Sequence, residues 1–342
     1  MKVSSAILKI FLITLCLGVL TAHKLATDGG DSTVDASSQE TAQSNTAAQV
    51  TETAEDPASV KPLPKKPFNL ADFQMEIVLG VVLILYIINF FVGKGQNKKI
   101  AEKWLKVHKE AFEENFETIG MEEGGKLLDA ESFNNYRFYA SGRINCHYAM
   151  ATIETKRRQD LLSMSILSFI WPQKDRYSLE IPLTNPNIPA IFALVRRKHI
   201  KQHMQNYLDI ESLAVKRPCE GLNDNLAILS EHDEIIPTIM DERVLKMFNK
   251  FERYIQMVHL TDQKMFSNYD VAIRFDFLLP PNEKLYEDFV VLTKVAFYIA
   301  DKLANYNMSP AVRAKAEKTR KAIHEKINKR RQEEKVEEAQ RK

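Results

Sequence analysis

A mixed α/β domain carried on one transmembrane helix is the fold class predicted by this sequence, on three observations. A twenty-residue apolar run, Phe73–Val92, is long enough to cross a membrane. Beyond it, segments alternating with period two interleave with segments of helical period. From Pro310 onward, apolar residues thin out and cations accumulate.

The 342 residues suffice for a short exported region, one span and one medium domain. Lys plus Arg number 47 against 45 Asp plus Glu, so the net charge of +2 selects no partner; its distribution along the chain is more informative. Residues 1–22 read as a cleaved signal peptide. Lys2 and Lys9 precede the apolar run Ile10–Leu20, which is too short to span, and Thr21 and Ala22 make a small-residue exit. Residues 23–72 read as a disordered luminal segment, because almost no large apolar residue is present to offset the entropy of ordering.

Residues 73–92 read as the transmembrane helix. Glu76 limits its charge-free part to Ile77–Val92, sixteen residues. At ~1.5 Å per residue that part spans ~24 Å, which suits the thin bilayer of the endoplasmic reticulum. Lys94, Lys98, Lys99, Lys103, Lys106 and Lys109 crowd its C-terminal side, against Lys61, Lys65 and Lys66 before it. With a signal peptide upstream, this asymmetry predicts a single-pass type I protein with a luminal N-terminus and a cytosolic C-terminus. Cys146 and Cys219 then lie where disulfides are not expected. Asn89, inside the apolar run, is a candidate contact to a partner membrane helix.

Residues 93–309 read as the cytosolic α/β domain. A break in the helix is expected near Gly93 and Gly95, then a helix over Ile100–Phe116. Strands are expected at Tyr136–Ala151, Tyr177–Leu183, Ile191–Val195 and Val271–Leu279, and helices at Arg158–Phe169, Lys198–Leu208, Glu242–Val258 and Leu285–Leu303. Lys294, Asp301 and Lys302 mark the last as a core helix rather than a second span. The mixture predicts a mixed sheet covered by helices.

Residues 310–342 read as a basic, coiled-coil-like tail. Residues 311–342 hold twelve cations and six acids, and Val312, Ile323, Ile327 and Val336 are too few for a heptad seam, so a solvated helix is expected. Lys315, Lys318, Arg320, Lys321, Lys326, Lys329, Arg330 and Arg331 are the candidate contacts to an RNA backbone or another phosphate surface.

Catalytic and cofactor signatures do not emerge. Gly120, Gly125 and Lys126 match the start of a phosphate-binding loop, but Leu127 replaces the Ser or Thr that holds magnesium, and Glu122 and Glu123 would repel phosphate. His199 and His203 have zinc-compatible spacing without a third ligand, beside Arg196, Arg197 and Lys198. Neither a nucleophile elbow nor a catalytic cysteine signature is present. The reading is therefore of a protein that is not an enzyme and holds no cofactor or metal.

Three segments carry a resemblance. Tyr139-Ala140-Ser141-Gly142-Arg143-Ile144-Asn145-Cys146, Lys156-Arg157-Arg158-Gln159-Asp160-Leu161-Leu162 and Leu226-Ala227-Ile228-Leu229-Ser230-Glu231 resemble, in this order, segments of the calumin or coiled-coil domain-containing protein 47 family. The resemblance covers roughly residues 70–330. It implies a subunit of the PAT complex, an intramembrane chaperone of the endoplasmic reticulum formed with a small membrane protein, Asterix. It further implies that the complex assists nascent multipass membrane proteins beside the ribosome and the Sec translocon, within the multipass translocon. The alternative it carries is a calcium-binding membrane protein of calcium homeostasis. Against that stand the seven scattered acids of residues 23–68, Asp28, Asp31, Asp35, Glu40, Glu52, Glu55 and Asp56, which form no recognisable cage. The tail is shorter than the family's, which implies a reduced reach.

Overall fold

Strand-forming residues spaced two apart build most of the domain. A computed structural model describes residues 73–120, 126–160, 173–185, 188–282, 285–323 and 325. The signal-peptide and luminal readings lie outside these residues. The chain divides into two units, Met1–Ile88 and Asn89–Lys342. Of the first, only the start of a long helix, α1 (Gln74–Glu113), is described.

The second unit is organised on a ten-stranded sheet. Its strands are β1 (Thr118–Ile119), β2 (Asp129–Ala130), β3 (Asn135–Ser141), β4 (Tyr148–Glu154), β5 (Arg176–Pro182), β6 (Phe192–Arg196), β7 (Val215–Arg217), β8 (Leu226–Ser230), β9 (Ile255–Thr261) and β10 (Ala272–Leu278). The spatial order is β1-β3-β4-β5-β10-β9-β6-β8-β7, with β2 paired to β3 off this path. In β3 and β4 every second residue is buried, so Phe138, Ala140, Ala149, Ala151 and Ile153 line one face. The central strands β6 and β8 are buried on both faces, as expected where helices cover a sheet twice.

Helices α1, α4 (Ile236–Ile239), α5 (Glu242–Lys250) and α6 (Leu285–Ala304) cover the first face. Trp104 and Phe112 of α1 meet Phe138 and Tyr177 of the sheet, and Phe289 of α6 packs edge-on against Phe277. Such aromatic pairs contribute ~0.5–1.5 kcal/mol each beyond their buried area. Helices α2 (Ile200–Asn206) and α3 (Leu208–Leu213) cover the second face over β6, β8 and β9, enclosing Ile191, Ala193, Val195, Ile210 and Met257. A last helix, α7, runs over residues 310–323.

Several expectations are corrected. No break occurs at Gly93 or Gly95; α1 continues through both. Tyr136–Ala151 is a hairpin, β3 and β4, turning at Gly142, whose φ of +90° only glycine adopts readily. The expected helix Glu242–Val258 stops at Lys250, and Ile255 begins β9. Its apolar residues Val244, Phe248, Phe251, Ile255 and Val258 fall at spacings of four, three, four and three, so the helical period runs on by coincidence. Pairing with β6 and β10 on both sides overrides it. All recorded pairings in the sheet are antiparallel, where a mixed sheet was expected. Of the expected helix Arg158–Phe169, Arg158–Asp160 form a turn and the rest lies outside the described residues. The helix Leu285–Leu303 is present as α6, with a buried face that suits a core element.

Candidate membrane junction and basic tail

Where α1 leaves its apolar run, three residues one turn apart grip a loop of the domain. Asn89, Gly93 and Asn97 share one face of the helix and all are buried. The Asn89 side-chain amide donates to the Arg158 carbonyl at 3.2 Å. Gly93 lies so close to the loop that a Cβ there would sit 2.4 Å from Arg158 and Gln159 backbone atoms. The two N–H groups of the Asn97 amide are shared among three acceptors, the carbonyls of Phe133 and Lys156 at 3.1 and 3.0 Å and Gln159 Oε1 at 3.1 Å. Its Oδ1 accepts from Arg158, whose guanidinium also pairs in two hydrogen bonds with Asp175, at 2.8 and 2.7 Å. Burial opposes the charge on Asp175, but the Arg158 contacts and the Lys156 amide outweigh it and hold the carboxyl below its usual range.

The membrane-helix candidate Asn89 is thus engaged by this chain's own backbone. Sequence reasoning missed Gly93, Asn97, Arg158 and Asp175. A polar, small, polar series at i, i+4 and i+8 was the available signal. Farther along α1 the same stripe turns apolar through Ala101 and Trp104 and buries His108. His108 stacks on Trp104 and hydrogen-bonds its carbonyl through Nδ1 at 3.0 Å. That bond requires Nδ1–H, and Nε2 is buried without a partner. Burial therefore lowers the His108 pKa from 6.5 to about 4, against the small opposing effect of the Trp104 carbonyl.

The first segment of family-like sequence has a structural role. Arg143 pairs with both Asp301 oxygens on α6 and donates to Asn115 just past α1. It also lies against the Phe116 and Phe297 rings, at 5.7 and 5.5 Å. Asn145 adds a bond to Asp301 at 2.8 Å. Burial pushes the neighbouring Cys146 thiol up to about 11, so it is unreactive at neutral pH.

The tail candidates divide into three groups. Lys315, Lys318 and Lys321 are exposed on α7. Lys326, Lys329, Arg330 and Arg331 lie outside the described residues. Arg320 is a correction to its reading as a phosphate contact. It makes two hydrogen bonds to Glu231, at 2.8 and 2.6 Å, and a third to Asp262. Burial opposes the guanidinium charge there, but those two carboxylates outweigh it and raise its pKa. Val312, Ala316 and Arg320 fall four apart, so one stripe of α7 is docked where a fully solvated helix was expected.

The rejected motifs sit in ordinary surroundings. Gly120, with φ of +91°, ends the β1 edge, and residues 121–125 lie outside the described set. His203 stacks on Tyr207. A buried His259–Asp209 pair, 2.8 Å apart, lies against Tyr207 and Phe266. Among the described residues, no three His, Cys, Asp or Glu side chains converge as metal ligands.

The family described as PAT complex subunit CCDC47 matches residues 72–342. An uncharacterized Arabidopsis thaliana protein is 30% identical over 264 residues, covering 72% of this chain and 54% of that protein. The human and bovine proteins named PAT complex subunit CCDC47 are each 25% identical, covering 79% and 80% of this chain and 62% of their own lengths. The chain thus spans about 54–62% of the length of these relatives. With one helix long and apolar enough to cross a membrane among its described residues, and with the match running unbroken from that helix through the sheet and into the tail, the chain belongs to the PAT complex subunit CCDC47 family.

Proposed function

We propose that this chain is a non-enzymatic subunit of an intramembrane chaperone of the endoplasmic reticulum. In this reading it joins a small Asterix-like membrane protein in a PAT-type complex and assists multipass proteins as they enter the membrane at a ribosome-bound Sec translocon. The observation that carries it is the family match over residues 72–342. Three features support it. One helix among the described residues is long and apolar enough to cross a membrane. The adjoining domain is fixed to that helix through Asn89, Gly93 and Asn97. Lys315, Lys318 and Lys321 stand exposed on a helix that Arg320 holds in place. An unpaired polar group of a client in hydrocarbon is costly until its partner helix arrives, which is the need such a chaperone answers.

In this reading the N-terminus is luminal and the domain and tail are cytosolic, with the tail cations meeting ribosomal phosphates. Mild-detergent purification followed by mass spectrometry tests it. An Asterix-like protein, translocon subunits and ribosomal proteins are expected in the eluate, and their absence overturns the reading. Removal of residues 326–342 should weaken ribosome co-sedimentation and flatten its salt dependence. Equal, salt-resistant sedimentation of both forms would eliminate the electrostatic role of the tail.

A further inference from the structure

The grip on α1 fixes the level of the loop relative to Val92, the last residue of the apolar run. Asn89 lies three residues inside the end of that run at Val92, about 4–5 Å along the axis. The carbonyl of Arg158 that it holds is therefore at the depth where helix passes from hydrocarbon to headgroup. Asn97 lies five residues beyond Val92, about 7–8 Å out, within the headgroup layer of a bilayer. Asn97 holds the carbonyls of Phe133 and Lys156, so these two segments sit at phosphate level.

The side chains there match that depth. The Phe133 ring is 44% exposed, packs edge-on against Phe90 at 5.2 Å and receives Lys94 Nζ at 4.8 Å. Lys156 and Arg157 are exposed beside it. Of the acids beside it, Asp175 pairs with Arg158 and Glu131 with Arg137, and exposed Glu154 stands against the cations Lys94, Lys156 and Arg157. Segments that lie in a membrane interface carry Phe, Trp or Leu toward the acyl boundary and Lys or Arg toward the headgroups.

We propose that Phe133, Lys156 and Arg157, with Lys94, form a docking surface for the headgroups of anionic phospholipid in the bilayer that α1 crosses. This rests on the reading of α1 as a membrane span. The domain then meets the leaflet through the β2–β3 connection and the segment after β4, and phosphates complete the coordination of the loop cations.

The test uses the full chain in bilayers, with Cys16 and Cys219 replaced by serine and buried Cys146 left in place. A fluorophore is attached at Ile84→Cys, Ser132→Cys or Ile144→Cys. Ser132 neighbours Phe133, whereas Ile144 is 91% exposed at the opposite end of the β3–β4 hairpin. Quenching is read with acyl-chain spin labels and with headgroup-labelled phosphatidylserine or phosphatidylcholine at equal mole fraction. The Ser132 probe should be quenched at least about twofold more by the labelled serine lipid, since each cation near an anionic leaflet favours contact severalfold. The Ile144 probe should be quenched by neither. Lys156→Glu with Arg157→Glu should abolish the twofold excess, and Phe133→Ser should reduce quenching by both lipids.

Equal quenching by the two headgroups in the unaltered surface, or none at Ser132 while acyl-chain labels quench Ile84, overturns the proposal and leaves the span standing. Failure of acyl-chain labels to quench Ile84 overturns the span, and the proposal with it.

Discussion

Two glycines in α1 separate the demands of packing from those of the helix itself. A Cβ at Gly93 would meet the backbone of Arg158 and Gln159, which cannot yield, whereas one at Gly95 meets nothing within 4 Å. Gly93→Ala should therefore destabilise the chain by about 1–3 kcal/mol through overpacking. Gly95→Ala should stabilise it by up to about 1 kcal/mol through helix propensity. Denaturant titration in detergent distinguishes the two signs. His108 supplies a pH dependence. Its folded pKa, about 4, lies below the unfolded value of 6.5, so its contribution is complete above pH 6.5 and is lost as pH falls toward 4. The unfolded chain takes up a proton that the core refuses, a loss of roughly 3 kcal/mol for that shift. Replacing His108 by Phe should flatten the fall in unfolding free energy between pH 7 and 5 relative to the parent.

At the scale of elements, α7 is held by a narrow device. Glu231 and Asp262 are 4% and 11% exposed and share Arg320 as their cation. Arg320→Ala leaves two nearly buried carboxylates unpaired, a loss on the order of 3–5 kcal/mol if the helix stayed in place. Undocking is the cheaper response. Amide exchange across residues 310–323 should accelerate in Arg320→Ala and stay unchanged in Lys321→Ala, whose side chain is exposed. The sequence made α6 and the strand character of Tyr136–Ala151 legible because each carries its own period in its own residues, but not the continuity of α1 through Gly93 and Gly95 or the turn at Gly142. It hid β9, whose apolar spacing mimics a helix, and β7 and β8, whose pairing depends on distant partners. The junction of α1 with the loop was half legible. Asn89 stands out against an apolar background, whereas Arg158 and Asp175 become meaningful only once folding brings the loop to the helix.

Across the whole molecule, Arg143 joins parts that are far apart in sequence. It ties the β3–β4 turn to Asn115 at the end of α1 and to Asp301 on α6, and Lys294 repeats the link through Glu114. Asp301→Asn should weaken the tie by about 1.5–3 kcal/mol, as expected for hydrogen bonds to a charged group. Because the tie joins both ends of the domain, the loss should appear as one cooperative shift in unfolding, read equally by tryptophan fluorescence and by circular dichroism. That tie also sets a clock. The partners Arg143 and Asp301 stand 158 residues apart, so during synthesis at 5–20 residues per second the hairpin waits roughly 8–30 s for its carboxylate. For that interval the long helix and the first strands present an uncovered aromatic underside to the cytoplasm or lumen they emerge into, and the nascent chain is most exposed to capture or misassembly before α6 arrives to close it.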